Sequence, residues 1–225
     1  MKSFQRSNYA FALAAAVLLI ASSASAQESA PAIVTRTCSG CHGMDGRSEL
    51  PYIPRLAGQS AAYLERKLTT FRSAAAWPVD EAFSRIVHIG SASKVARITS
   101  AATAHMVGVA RTVSDENRKA AVQWYAAQMP ARGSRGNRKL IEEGRSLFVD
   151  GLESQGLLPC QACHGAEAQG ADTAPRLAGQ NAAYVVGQLA LFRSGAHRQS
   201  PDMTAVARSL EDGQARAVAA YLQSR

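Results

Sequence analysis

Past its first twenty or so residues the sequence has no apolar run approaching the roughly 20 residues that a membrane-spanning helix needs. Any membrane association of the mature chain is therefore peripheral. No stretch alternates apolar and polar residues convincingly as a strand, which points away from a sheet and towards helices. Lysine and arginine never gather into a run, and no basic stripe is interleaved with aromatics, so nucleic-acid binding is excluded. Cysteine is scarce, with four in 225 residues. What is present is enough to fold: 47% of residues are apolar and 19% charged, so this is no disordered tail.

The one long apolar run lies at the start. Lys2 and Arg6 precede apolar residues from about Tyr9 to Ile20, and the small-residue pattern Ala24-Ser25-Ala26 follows. This is the pattern of a secretory signal peptide, residues 1–26, cleaved after Ala26. Export to the periplasm follows, and the formal charge of +8 falls to +6 with the loss of Lys2 and Arg6.

The remainder repeats itself. PRLAGQSAAYLERKLTTFRS, Pro54 to Ser73, returns as PRLAGQNAAYVVGQLALFRS, Pro175 to Ser194. MVGVAR from Met106 is matched by MTAVAR from Met203, each leading into a helix-like closing segment. The two copies divide the chain into a first domain, 27–130, a linker, 131–137, and a second domain, 138–225. The first copy holds 24 extra residues between Ser73 and Met106, an insertion placed at about 74–105. There Phe83, Ile86, Val87 and Gly90 recur at helical spacing. Helices are further expected over about 137–149, after each PRLAGQ, and at the close of each half, the first of these capped by Ser114 with Asp115 and Glu116 in its first turn.

All four cysteines fall in two Cys-x-x-Cys-His units, CSGCHG from Cys38 and CQACHG from Cys160. In an exported chain a disulfide within each pair is one reading. A thioredoxin-like redox motif belongs beside a βαβ pattern that is missing here, and a zinc site wants its pairs about 15 to 20 residues apart. The pattern that accounts for the histidine as well is covalent haem. Cys38 and Cys41, like Cys160 and Cys163, lie one helical turn apart and add to the two vinyl groups of one haem, while His42 and His164 are carried under the iron. The cofactors expected are two haem c.

With these motifs in view the sequence resembles the class I c-type cytochromes, and the dihaem cytochrome c4 family in particular, over nearly all of the mature chain. The shared features are CHG in each half, Pro-x-Leu-Ala-Gly-Gln, a tyrosine, Phe-Arg, a methionine and a closing helix with an aromatic residue. The resemblance implies an all-α fold of two tandem cytochrome c domains, each a small helical bundle around one haem. It also implies that Met203 is the distal iron ligand of the second haem, and that the carbonyls of Pro54 and Pro175 accept the N–H of the proximal histidines.

For the first haem Met106 leads, because it aligns with Met203, whereas His105 aligns with Asp202. His105, His88, Met44 and Met129 stand as alternatives there, and His88, His105 and His197 otherwise read as ordinary surface or core histidines. Arg55 and Arg176 suit haem propionates by guanidinium geometry and equally suit solvent. Tyr63, Tyr184, Phe71 and Phe192 read as a helix face against haem or core, and Gly58 and Gly179 as tight turns. The first half departs from the family pattern in its short lead-in to Cys38 and in the insertion.

The function implied is a non-enzymatic electron carrier in the periplasm, passing single electrons between respiratory partners towards a terminal oxidase. Two alternatives are the cytochrome subunit of a dehydrogenase complex, and a haem enzyme or gas sensor with an open iron in the first domain. Residues 27–129 carry a formal charge of +4, Arg132 and Arg135 add two more, and residues 138–225 balance to zero. An acidic redox protein is therefore expected to dock on the first domain and linker.

Overall fold

The computed structural model describes residues 30–73, 93–197 and 200–225. The expected signal peptide, the expected helix around Phe83 to Gly90, and His88 lie outside the described residues. Among those described there are nine α-helices and no strand; a lone bridge joins Leu152 and Leu157. The fold is all-α.

Each half has the same order of parts. In the first, a π-helical stretch Val34–Cys38 runs into α1 (Ser39–His42), followed by α2 (Ala61–Ser73), α3 (Ser93–Thr112) and α4 (Asp115–Ala127). In the second, α5 (Arg138–Asp150) leads to α6 (Gln161–His164), α7 (Ala182–Arg193), α8 (Pro201–Arg208) and α9 (Asp212–Ser224). Helix starts follow local chemistry. Ser114 accepts the Asn117 amide to cap α4, with Asp115 and Glu116 in the first turn, and Asn137 accepts the Leu140 amide to cap α5. Glu211 and Gln214 close a reciprocal capping box on α9.

The second half has the larger core. Here α5 crosses α9, with Phe148 and Tyr221 rings 5.4 Å apart. The crossing is close enough that a Cβ on Gly144 would sit 2.0 Å from the Ala217 carbonyl oxygen. Leu147, Phe148, Val185, Leu189, Ala217, Val218 and Leu222 are buried together there. The first half gathers Val34, Leu64, Ala121, Val122 and Tyr125.

The insertion alters how the halves meet. Met106 and Met203 occupy matching places on α3 and α8, but α3 is 20 residues long and α8 only 8. The extra turns of α3 lie at its N-terminal end, within the insertion, and α3 packs across the domain boundary on α7. Ala96, Thr99, Thr103, Val107 and Ala110 are buried along one stripe of α3. Opposite them Gly187 approaches so closely that a Cβ would stand 2.1 Å from the Thr99 hydroxyl. Thr99 and Thr103 donate their hydroxyls to Val95 and Thr99 carbonyls in their own helix, so the stripe buries no unpaired hydroxyl from either.

The reason lies in composition. On α2 the chain has Glu65, Arg66, Thr69 and Thr70; at the matching places on α7 it has Val186, Gly187, Ala190 and Leu191. A helix apolar on every side must be covered on every side. α7 therefore turns Val185 and Leu189 to its own core, and Ala190 and Leu191 are buried as well, 3% and 0% exposed, outside that core cluster.

Candidate haem sites

Each Cys-x-x-Cys-His unit forms one short turn of helix that ends at a glycine with φ of 79°, Gly43 in one half and Gly165 in the other. The turn places Cys41 and Cys163 at the surface and Cys38 and Cys160 partly inside. His42 and His164 are buried, each 6% exposed. In both halves the ring Nδ1–H donates to a proline carbonyl at 3.0 Å, His42 to Pro54 and His164 to Pro175. That bond fixes the tautomer and leaves Nε2 as the nitrogen with a free lone pair.

The PRLAGQ segment delivers each proline. Its glycine, at φ of 64° in Gly58 and 74° in Gly179, donates its N–H to the closing helix, to Tyr125 and Leu222 carbonyls at 3.0 and 2.8 Å. In the first half Tyr125 and Trp124 also reach back to the haem-motif turn, donating to the Gly43 and Met44 carbonyls at 3.1 and 2.8 Å.

The glutamines that end the two PRLAGQ segments exchange partners across the domain boundary. Arg55 N–H donates to Gln180 Oε1 at 2.8 Å and Gln180 Nε2 donates to the Arg55 carbonyl at 3.1 Å. Arg176 N–H donates to Gln59 Oε1 at 2.8 Å and Gln59 Nε2 donates to the Arg176 carbonyl at 3.1 Å. The four bonds form a pseudo-two-fold clamp beside Pro54 and Pro175. Sequence reasoning missed this role, although the identical hexapeptide in both copies carried the signal, since an isologous contact uses the same patch twice.

It also missed the arginine of Phe-Arg. Arg193 donates to the Ala207 carbonyl at 3.0 Å, to Asp212 Oδ1 at 2.7 Å and to the Leu210 carbonyl, and so ties the end of α8 to the start of α9. Arg72 makes the matching bonds to Ala110, Asp115 and Val113. In both halves the methionine-bearing helix is thereby pinned at its C-terminal end.

Other singled-out residues fall as follows. Met203 is partly buried and packs on the second core; Met106 is partly buried on α3, while His105 beside it is exposed. Met44 and Met129 are exposed, at 45% and 73%. His197 is buried against Phe192, ring centroids 4.5 Å apart, with Nε2 2.7 Å from Gln188 Oε1, and so serves as a core residue. Tyr63 and Tyr184 are half-buried, and burial pushes the Tyr63 phenol up to about 12 and raises the Tyr184 phenol as well.

The residues fit haem better than the rival groups. All four cysteines are free of disulfides. Burial pushes the Cys38 thiol up and the Cys160 thiol to about 11, opposite to the depressed values of a thioredoxin-type nucleophile. Among the described residues no group of three or more His, Cys, Asp or Glu side chains could hold a metal ion alone. Arg176 carries a buried Nε with no partner in the protein, an orphaned cationic donor that an anionic propionate would satisfy. Arg55 differs, because its Nε and Nη1 donate to the Ser48 and Gly179 carbonyls at 3.2 and 2.6 Å.

A family model described as cytochrome c matches residues 28–126 and again 141–225. The chain belongs to the cytochrome c family, and within it to the dihaem cytochromes c4. It is 34% identical to cytochrome c-552 of Acidithiobacillus ferridurans, over 95% of this chain and 86% of that one. It is 31% identical to cytochrome c4 of Azotobacter vinelandii, over 83% of each. A thiosulfate dehydrogenase electron acceptor from Stutzerimonas stutzeri is 30% identical, over 82% of this chain and 76% of that one. The crystal structure of reduced cytochrome c4 from Pseudomonas stutzeri superposes with a TM-score of 0.68 at 28% identity, covering 84% of this chain and 94% of that one. The chain is thus an electron-carrying cytochrome, not an enzyme, with two covalent haem c at Cys38 and Cys41 and at Cys160 and Cys163.

Proposed function

We propose that this cytochrome is exported to the periplasm and relays single electrons between respiratory proteins, towards a terminal oxidase. Its domains are 27–130 and 138–225, joined by 131–137. Two haem c groups supply the one-electron chemistry. His42 and His164 would hold the iron through Nε2, with Pro54 and Pro175 orienting their rings, and Met203 and Met106 would be its further ligands. Arg176 would pair with a propionate through its buried Nε, and Arg55 would lie in the haem surroundings while its guanidinium also grips the other domain.

The observation that carries this reading is the repeated proline-to-histidine bond at 3.0 Å behind each Cys-x-x-Cys-His turn. A histidine so held keeps one geometry in both oxidation states, and a filled sixth position limits reorganisation, as electron carriage requires. Export is supported by the Lys2, Arg6 and Ala24-Ser25-Ala26 pattern, and among the described residues no helix is long and apolar enough to cross a membrane.

The test is the optical spectrum of the reduced holoprotein before and after carbon monoxide. An unchanged spectrum means that both irons are six-coordinate with protein ligands. A shift in about half of the signal means that one iron is open, which makes Met106 the suspect ligand and moves ligand-binding or catalytic roles ahead. Docking of an acidic partner on the basic first domain and linker predicts association that slows as salt rises, and a rate independent of ionic strength would remove that idea.

A second reading has support of its own. Similarity to a protein named as the electron acceptor of thiosulfate dehydrogenase favours a role draining electrons from a dehydrogenase, and stable co-purification with a catalytic chain would select it.

A further inference from the structure

The loops that carry Pro54 and Pro175 differ in how they are held. His42 and Pro54 are 12 residues apart, His164 and Pro175 only 11. The shorter loop closes on itself: the carbonyl of Ala174, just before Pro175, accepts the Ala171 amide at 2.8 Å. In the longer loop the matching carbonyl, that of Ile53, accepts instead from a side chain of the other domain. Asn181 Nδ2 lies 2.9 Å from the Ile53 carbonyl, 3.0 Å from Leu50 and 3.3 Å from Ser48.

Asn181 is 5% exposed and directly follows Gln180, which grips the N–H and carbonyl of Arg55. The peptides on both sides of Pro54 are thus fixed by two consecutive residues of the second domain. The reverse contact is different in kind. Ser60, the counterpart of Asn181, donates to the exposed Asp172 carboxylate at 3.2 Å.

We propose that Asn181 is a positioning residue for the first haem: from the second domain it holds the Pro54 carbonyl on His42 and thereby sets the first reduction potential apart from the second. The proposal rests on His42 being the proximal ligand. A carbonyl that accepts the Nδ1 proton makes the imidazole a stronger donor to iron and favours the ferric state. Where that carbonyl is steadied by Asn181, the first haem is held at a lower potential than its own loop would give it. At the second haem Gln59 grips Arg176 in the same way, but the Ala174 carbonyl before Pro175 is held within its own loop, so no counterpart of Asn181 acts there.

The test is Asn181→Leu, which keeps the approximate shape and removes both donors, in the dihaem protein. Redox titration is expected to show the first midpoint rising and the second unchanged. Exchange of the His42 Nδ1 proton in the ferrous protein, followed by NMR, should quicken while that of His164 does not. Asn181→Ser, which retains one donor, should fall between. Unchanged midpoints, or two midpoints that move together, would overturn the proposal and leave Asn181 as an interface residue only. If Asn181→Leu does not accumulate with both haems, the same titration on Asn181→Ser decides, and an unshifted first midpoint there refutes it. The failure of the underlying site reading is separate: His42→Ala would then leave the optical spectrum of the haem on Cys38 and Cys41 unchanged.

Discussion

Replacing Gln180 by leucine removes one half of the clamp between the domains: besides the Asn181 N–H, which loses its bond of 3.0 Å within the same loop, it leaves two partly buried groups across the boundary, the Arg55 N–H and its carbonyl, without their bonds of 2.8 and 3.1 Å. A neutral hydrogen bond contributes about 0.5–1.5 kcal/mol net, and a buried group left unpaired costs about 1–3 kcal/mol. Both groups lie near the domain boundary, where water can reach in once the contact loosens. The lower part of that range applies to each, giving a loss of about 2–4 kcal/mol. Gln59→Leu removes the same pair of bonds from Arg176, at matching distances, together with the bond of 3.2 Å from the Ser60 N–H, and should cost the same. The double variant is the stronger measurement. Residues that share one contact do not add, because the second substitution acts on an interface that the first has already opened. The double loss should therefore fall short of the sum of the singles by about 1 kcal/mol or more. Urea unfolding of the dihaem protein, followed by circular dichroism in the haem band, measures all four states. Single losses under about 0.5 kcal/mol, or strict additivity, would show that the two glutamines do not hold the domains together.

Arg193→Ala should destabilise by about 2–3 kcal/mol, since a charge-assisted cluster on Asp212 and two helix-end carbonyls is lost, with Arg193 only 20% exposed. Arg72→Ala should cost less, because its partner Asp115 is 67% exposed and keeps Arg118 at 3.2 Å; equal losses in urea titrations would contradict this. Burial first, and then Lys67 facing it, push His197 down to about 3 from 6.5. The unfolded chain takes up a proton below 6.5 that the folded chain refuses, so stability is full above that pH and falls towards pH 3 by up to about 1.4 kcal/mol per unit. His197→Gln should flatten this part of the stability profile, and an unaltered slope would place its origin elsewhere. Gly187→Leu drives a side chain into Thr99 and should cost about 1–3 kcal/mol or more by overpacking, so a neutral result in thermal melts would rule out the close approach of α3 and α7.

Much of this was legible in the residues. Cys-x-x-Cys-His fixes its own local structure, a helical turn ending on glycine, and the duplicated order of motifs carried the helices after each PRLAGQ and at the close of each half. The Ser114 cap was readable because its chemistry is local. Contacts between copies were not, because they depend on which faces meet. Gln59 and Gln180 carry no local sign of a partner until the fold sets each against the backbone of the other copy. The length of α3 was hidden for a related reason: the insertion was measured as a gap against α8, while Ala96, Thr99 and Thr103 make sense only against a partner helix. One signal did stand in the sequence. Val186, Gly187, Ala190 and Leu191 make apolar the face that is polar on α2, and a helix with two apolar faces requires a second neighbour.

An isologous contact needs only one solution, because each copy supplies both the donor and the acceptor. The shared hexapeptide gives this cytochrome that solution, and at this level the two haem sites are equivalent. Much that distinguishes them was added around it: an α3 extended by the insertion, an α7 without the charges that α2 has at Glu65, Arg66 and Lys67, one more residue between His42 and Pro54, and an asparagine where the first copy has Ser60. All four place parts of the first domain against the second, and the last two bear on the first histidine. Two identical sites would give an electron no preferred side. Both sites take cross-domain support from the glutamine clamp, but on the proposed role of Asn181 the peptide before Pro54 is also held from the second domain while the Ala174 carbonyl is held within its own loop, so an inequality between the two sites arises from the packing of the domains.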